Sequence, residues 1–217
     1  MTAAIWAGLL AVTVAATPSP SRISAEEVVR RVQARFDATA DFTADVRQEL
    51  LVASTGRSLS AQGTVAFKRP GKMRWALRNH EAQVIVADGA TLWLYEPEEQ
   101  QVLKSPFESA FRSSAPISFL TGVGRIGDDF DASLDGADDG HVYLLLVSHR
   151  DEQELGRLRL VVETNEYGIV GAEIRDPVGN VTTLRFSNMR RNVGLADALF
   201  RFEVPDGVDV IEAPIGY

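Results

Sequence analysis

The feature that most constrains the fold is a two-residue alternation of side-chain character that begins near residue 42. In FTADVRQELLV the even-numbered residues share one face, and the charged residues 45, 47 and 49 lie on the other. Turn signals separate the later runs, so the pattern predicts many short antiparallel strands. These further strands are expected at about 59–69, 73–79, 82–87, 91–95, 100–104, 129–134, 141–148, 155–163, 169–175 and 181–188, with FRFEV as the last.

A long antiparallel meander closes into a barrel or curls into a half-barrel. Two neighbouring runs, QVIVA and TLWLY, flank a strong Asp88-Gly89 hairpin signal and are apolar on both faces. A sheet with water on one side should instead alternate cleanly. Either both faces of these strands are covered, or one of them lines a dry cavity, and the sequence leaves both options open.

Three helical segments interrupt this pattern. Residues 23–38 are predicted to form a helix, because Ser24 and Glu27 have the spacing of a capping box. Its apolar stripe, which includes Val28 and Val32, needs a surface to cover it. Two short helices are expected within 107–122, and a helical turn at 195–199.

The N-terminus resembles a secretory signal. Residues 3–14 are apolar, and small residues at 14–16 offer a cleavage site ahead of the helix-breaking TPSPS. We therefore expect a signal peptide at 1–16 and a single exported domain at 17–217, with an uncleaved anchor as the alternative. The apolar run is shorter than the roughly 20 residues that a membrane span needs.

Several classes of site find little support in the sequence. The formal net charge of -8 argues against a nucleic-acid partner, and the absence of cysteine excludes disulfides and thiolate metal sites. GVGRIG lacks the flanking strand and helix of a dinucleotide fold, and the calcium-loop-like run from Asp131 has Val142 where a glutamate is needed. We expect no metal, no cofactor and no catalytic residue.

The segment FKRPGKMRW, residues 67 to 75, gathers four cations around a Pro-Gly turn. A two-residue loop would leave neither face of the hairpin cleanly apolar. A three-residue loop at 70–72 would pair residue 69 with 73, and then all the apolar side chains share one face. That face would hold Val65, Phe67, Met73, Trp75 and Leu77.

The same register turns Arg69 toward the apolar face, at the end of the hairpin. An inward guanidinium there needs partners, and the unpaired carbonyl groups at a helix C-terminus are suitable ones. The N-terminal helix and the helices within 107–122 could both supply such carbonyls. The alternative is a cation that stays in water at the hairpin tip.

After residue 16 nearly the whole chain resembles the periplasmic outer-membrane lipoprotein carrier proteins, the LolA family. The likeness lies in FTADVRQ, GTVAFKRPGKMRW, IVADGATLWLYEPEEQQV, PISFLTG and LFRFEVPDGVDVI. The patterns G-x-x-x-F-K-R-P-x-x-x-R-W and D-G-x-x-L-W-x-Y-x-P at this spacing are quite specific to it.

The resemblance implies a mainly β fold with short α-helices: an incomplete, half-open antiparallel β-barrel of ten or eleven strands, with a helical lid over an apolar cavity. It implies a periplasmic carrier and not an enzyme. The carrier would bind the acyl chains of lipoproteins that an inner-membrane ABC transporter releases, and would deliver them to an outer-membrane acceptor. We expect it to act as a monomer.

The resemblance also assigns roles to individual residues. Arg69 would latch the lid to the barrel, and Met73 would dock to the transporter. The acyl-chain cavity would be lined by Val46, Leu50, Val65, Phe67, Trp75, Val84, Val86, Leu92, Trp93, Phe107, Phe111, Ile117, Phe119 and Leu120. Adjacent strand residues such as Leu92 and Trp93 point oppositely, so some of this set must face outward.

Two other functions remain open from the sequence. One is a sensor or regulatory module with the same half-barrel, which would bind a membrane signalling protein. The other is a hydrolase that acts on envelope lipid, although no catalytic motif points to it.

Overall fold

The chain forms one continuous β-sheet in the part that this computed structural model describes, residues 23–78, 82–107, 125–149 and 157–212. The strands are β1 (Asp41–Val52), β2 (Arg57–Lys68), β3 (Lys72–Arg78), β4 (Gln83–Asp88), β5 (Thr91–Glu96), β6 (Gln101–Pro106), β7 (Phe130–Ala137), β8 (His141–Ser148), β9 (Arg157–Glu163), β10 (Ile169–Arg175), β11 (Val181–Arg191) and β12 (Asp209–Glu212). The helices are α1 (Ala25–Asp37), the single turn α2 (Ile126–Asp129) and a 3₁₀ helix (Asp197–Phe200).

The sheet order is β12-β6-β5-β4-β3-β2-β1-β11-β10-β9-β8-β7, so the pairing of β1 with β11 joins two meanders. All neighbours are antiparallel except β12, which runs parallel to β6. The outermost strands β7 and β12 do not pair with each other, and the sheet is therefore open. This confirms the predicted incomplete antiparallel barrel, but with twelve described strands instead of ten or eleven.

The sheet curves around α1. The helix contacts β7, and residues of both α1 and β2 line one shared cavity. Six strand spacings separate β2 from β7, a distance of about 29 Å in a flat sheet, whereas a 13-residue helix is only about 20 Å long. One face of the sheet is thus concave and carries the main hydrophobic core.

Local sequence explains where α1 begins and which face it buries. The side chain of Ser24 caps the helix by accepting a hydrogen bond of 3.2 Å from the backbone N–H of Glu27. The carboxylate of Glu27 binds two arginines of its own helix instead of completing the capping box. Val28 and Val32 are buried against the sheet, as the predicted apolar stripe requires.

The β2–β3 hairpin has the predicted apolar face but not the predicted register. Phe67 pairs with Met73 and Lys68 with Lys72, so the loop consists of residues 69–71 instead of 70–72. A shift of two residues leaves every side chain on its original face, which is why the face was predicted correctly. The turn uses Gly71, whose φ of 64° a side chain would disfavour.

The C-terminal segment departs from the prediction. FRFEV is not a strand: after the 3₁₀ helix, residues 201–208 run along the sheet without joining it, and β12 follows. Phe200 is buried, and the ring of Phe202 stacks at 6.1 Å on that of Trp93. The apolar alternation of this segment reflects its packing against the outer face of the sheet, not hydrogen bonding at an edge.

Two predicted features fall outside the described residues. They are the signal peptide at 1–16 and, apart from Phe107, the two short helices within 107–122. Among the residues that are described, no helix has the length and apolar character needed to cross a membrane.

Candidate functional site

A small cavity lies between α1 and the concave face of the sheet. Its volume is about 50 Å³, and its wall is mostly apolar. Strands β1, β2, β10 and β11 supply most of the sheet side of the wall. The lining residues are Val32, Arg35, Phe36, Thr39, Phe42, Phe67, Tyr167, Gly168, Ile169, Phe186, Met189 and Arg191.

The cavity is too small for a hydrocarbon chain while α1 stays in place. Pockets that bind small molecules usually measure about 300–1,000 Å³. The core around it is closely filled by side chains from both meanders, including Val65 and Leu144. A ligand larger than a few atoms can therefore enter this cavity only if α1 moves.

Arg69 fastens the C-terminal end of α1. Its guanidinium donates a hydrogen bond of 2.7 Å to the backbone carbonyl of Phe36 and lies 4.3 Å from the centre of the Phe36 ring. The carboxylate of Asp37 is 3.7 Å away. The helix C-terminus leaves carbonyl groups unpaired, so a cation there is stabilising. Of the two helical partners that the sequence allowed, the described contacts are with the N-terminal helix.

The neighbouring lysines face the outer side of the same hairpin. Lys68 and Lys72 bind Asp197 of the 3₁₀ helix at 2.7 and 2.8 Å. Hydrogen bonds from Lys68 and then Lys72 lower the pKa of Asp197 to about 2. Because successive strand residues point to opposite faces, one hairpin holds α1 on its inner side and the C-terminal segment on its outer side.

Met73 lies in the core, with 1% of its surface exposed. It pairs with Phe67 on β2 and with Ala87 on β4, on the face that packs toward α1. A partner can reach this side chain only after the concave face opens. Its predicted docking role stays a prediction.

Half of the predicted lining residues lie on the concave side. Cross-strand partners share a face, so the pairings of β1 to β5 sort the set into two groups. The concave group comprises Val46, Leu50, Val65, Phe67, Trp75, Leu92 and Phe107. Phe67 alone of these borders the cavity beneath α1.

The assignment of Val84, Val86 and Trp93 to the concave face was wrong. Val86 pairs with Trp93 and with Arg74, and Val84 pairs with Tyr95, all on the outer face. The C-terminal segment covers this outer patch, which explains why QVIVA and TLWLY are apolar on both sides. The four remaining predicted lining residues, Phe111, Ile117, Phe119 and Leu120, lie outside the described residues.

The sequence analysis missed the contribution of the second meander. Ile169, Phe186 and Met189 border the cavity, together with Phe42 of β1. Phe186 pairs with Val46, so it could have been found once β11 was placed beside β1. That pairing joins residues far apart in sequence, and no local pattern reveals it.

The described residues show no candidate metal site. No group of three or more His, Asp or Glu side chains in the described ranges could hold a metal ion. The calcium-loop-like run from Asp131 forms most of strand β7, the turn after it and the start of β8. His141 contacts the carboxylate of Asp138, and His149 contacts the backbone carbonyl of Asp128 and the carboxylate of Asp131.

Comparison with protein families gives a match over most of the chain. The family model described as "Outer membrane lipoprotein carrier protein LolA" matches residues 37–203. An outer-membrane lipoprotein carrier protein of Methylobacillus flagellatus is 31% identical over 183 residues, which cover 84% of this chain and 88% of the relative. One from Chromobacterium violaceum is also 31% identical, over 96% of this chain and 94% of the relative.

The fold also matches solved structures at low sequence identity. An uncharacterized conserved protein from Thermus thermophilus superimposes with a TM-score of 0.54 at 17% identity. The match covers 87% of this chain and 99% of that one. At this identity the likeness shows a shared fold only.

Proposed function

Because the chain belongs to the LolA family of outer-membrane lipoprotein carriers, we propose that it binds the acyl chains of lipoproteins on its concave face and carries them through the periplasm. In this proposal the protein is a carrier and performs no chemistry. An inner-membrane ABC transporter loads it, and an acceptor at the outer membrane receives the cargo.

The observation that best supports this proposal is an apolar concave face covered by a helix, α1, that pairs with no strand of the described sheet. α1 contributes only a narrow apolar stripe to the core, while polar contacts such as that of Arg69 hold its C-terminal end. Displacing α1 would uncover Val65, Phe67 and their neighbours without breaking a strand pair. We call α1 in this role the lid.

Burial of an acyl chain provides enough free energy to displace the lid. Each buried CH₂ contributes about 0.8 kcal/mol, so a chain of roughly 16 carbons gains about 13 kcal/mol in transfer terms. Opening costs the burial of Val28 and Val32 and the contacts of Arg69. Because the two terms oppose each other, the free-energy difference between the loaded and the closed state is smaller than the burial term alone. A smaller difference favours transfer of the cargo to an acceptor.

This balance gives Arg69 and Met73 distinct roles in the proposal. Arg69 favours the closed state and so helps to expel cargo at delivery. Met73 becomes accessible only when the lid opens, which would restrict transporter docking to the open state.

The direct test compares a triacylated lipoprotein with the same protein lacking its acyl chains. We expect micromolar or tighter binding of the acylated form only. Arg69→Leu should keep this binding but slow the transfer of cargo to acceptor membranes. Arg78→Leu is the matched control, because Arg78 is exposed and has no ion pair within the described residues.

Two results would contradict the proposal. Equal binding of acylated and unacylated cargo would remove the acyl-chain site, and an unchanged transfer rate in Arg69→Leu would remove the latch. Co-purification of a membrane-bound regulator without any lipoprotein would favour the sensor function instead.

A further inference from the structure

α1 is also held on the side away from the β2–β3 hairpin. Arg35 forms an ion pair with Glu166, in the turn between β9 and β10. One turn earlier in the helix, Arg31 donates a hydrogen bond of 3.1 Å to the hydroxyl of Tyr167 and lies 4.7 Å from the centre of its ring. Three strand spacings, about 14 Å, separate β10 from β2, so this attachment is spatially distinct from that of Arg69.

Arg191 lies beside this ion pair, but no carboxylate of the described residues is close enough to form a strong ion pair with its guanidinium. Its side chain is only 19% exposed, yet its nearest carboxylate oxygens are at 3.7 Å on Glu166 and 3.8 Å on Glu163. Both distances exceed hydrogen-bond length. Burial, followed by the charge of Arg35, lowers the pKa of Arg191. The closed position of α1 therefore brings two cations together around one carboxylate.

Gly168 makes room for this arrangement. A Cβ at this position would lie 2.4 Å from Nη2 of Arg191 and 2.5 Å from Oε1 of Glu163. Its backbone is not in the left-handed region, so the need for glycine here is one of space. The turn is thus shaped to bring Arg191 close to the two glutamates.

The charges predict opposite effects for the two arginines. Arg35 is on α1 and attracts Glu166 only while the helix is closed. Arg191 is on the sheet and repels Arg35 in the closed state. Because both glutamates also belong to the sheet and its β9–β10 turn, we expect Arg191 to stay near them after α1 leaves. Arg191 therefore favours the open state, by destabilising the closed one and by keeping the glutamates neutralised.

We propose that Arg35 and Glu166 form a second latch of the lid and that Arg191 competes for Glu166, so that these positioning residues set how readily α1 opens. The inference rests on the proposed function in one respect: cargo binding requires α1 to move. The contacts that form the latch do not depend on the identity of the cargo.

The lid position can be measured directly, because the chain contains no cysteine. Spin labels on Ala34→Cys of α1 and Ser187→Cys of β11, both at exposed positions, report the distance between helix and sheet. We expect Arg35→Gln and Glu166→Gln each to raise the ratio of open to closed molecules about two- to fivefold, the range of exposed ion pairs. In the double variant Arg35→Gln/Glu166→Gln, the ratio of open to closed molecules should be no higher than in either single variant.

Arg191→Gln should lower the same ratio by a similar factor, and Arg191→Lys should restore part of it. Arg190→Gln is the control, since Arg190 is the exposed neighbour on the opposite face of β11. A thermal unfolding curve of each variant checks that the variant is folded under the conditions of the distance measurement. If Arg191→Gln unfolds, two other variants test the competition between Arg191 and Arg35 for Glu166. One is Arg191→Lys, and the other is Gly168→Ala, whose methyl group would displace the guanidinium of Arg191.

An open population that rises or stays constant in Arg191→Gln would overturn the competition, and an unchanged population in Arg35→Gln would overturn the second latch. The acylated lipoprotein is then added to the same labelled proteins. If it fails to bind while the distances respond as expected, the carrier function fails and the second latch stands.

Discussion

At the residue scale, His149 shows how hydrogen-bond geometry fixes a protonation state. Its Nδ1 lies 3.1 Å from the carbonyl oxygen of Asp128 and its Nε2 lies 3.0 Å from a carboxylate oxygen of Asp131. Both partners are acceptors, so this geometry favours the ring form in which both nitrogens carry hydrogen. The hydrogen bond to Asp131, followed by that to the carbonyl, raises the pKa of His149 above its ordinary value of 6.5.

This geometry predicts a pH-dependent contribution to folding. A raised folded-state pKa stabilises the protein fully below pH 6.5, and the contribution is lost as the pH rises through the folded-state pKa. We therefore expect His149→Gln to lower the unfolding temperature more at pH 5.5 than at pH 8.5. In an NMR titration, Asp131→Asn should lower the His149 midpoint, while Asp139→Asn should not. A midpoint at or below 6.5 in the unaltered protein would contradict the expectation.

Arg69 and Arg191 show what the sequence could and could not reveal at this scale. The apolar alternation of the hairpin predicts that Arg69 points toward the concave face. A register error of two residues does not change this prediction, because every side chain stays on the same face. The partners of Arg35 and Arg191 lie more than a hundred positions away or in a turn of irregular conformation. Charged residues in such places have no periodic signature, so their meeting emerges only from the folded chain.

At the scale of elements, the C-terminal segment gives strands β4 and β5 their second buried face. Asp41 accepts hydrogen bonds from three successive backbone N–H groups of residues 193–195 and so fixes the start of the segment. Phe200 then packs where the 3₁₀ helix meets β3 and β4. The outer face of the sheet thus has its own small core, separate from the concave one.

Removing the largest fully buried side chain of this outer core should destabilise the fold without changing the site. Phe200 is 1% exposed, so Phe200→Ala should cost about 3–5 kcal/mol in the free energy of unfolding, measured with urea. Leu199→Ala, at a position 39% exposed, should cost less than about 0.5 kcal/mol. Binding of an apolar probe should be equal in both variants. Weakened probe binding in Phe200→Ala would show that the two cores are coupled.

The element boundaries also show why strand prediction failed here. FRFEV alternates like a strand, and its two phenylalanines do face the sheet. Alternation reports that one side of an extended segment is buried, but not whether its backbone is paired in a sheet. In β1 to β6 short turns bring successive strands side by side, so their backbones form hydrogen bonds with each other. FRFEV is not joined to a neighbouring strand by such a turn.

At the scale of the whole molecule, the lid and the sheet differ in how they are held. Long antiparallel ladders join the central strands β1, β2 and β11. Within the described residues, no strand pairs with α1, which buries a stripe around two valines and makes side-chain contacts at its surface. Regions with few buried contacts open locally at low free energy. Opening should therefore be confined to the helix.

Amide hydrogen exchange tests this division. Adding an acylated lipoprotein should reduce the protection of residues 25–37 and leave the amides of β1 and β2 unchanged or better protected. The same lipoprotein without acyl chains is the control and should change neither. A uniform loss of protection across sheet and helix would instead mean that cargo loosens the entire domain.

The unpaired outer strands have a further mechanical consequence. In a closed barrel, strand number and stagger fix the radius, so enlarging the interior means rupturing a ladder. Among the described strands, β7 and β12 do not pair with each other, so bending the sheet to widen the interior would break none of its ladders. For the proposed carrier, this gap between the strands would let the same sheet accommodate hydrocarbon chains of different total volume.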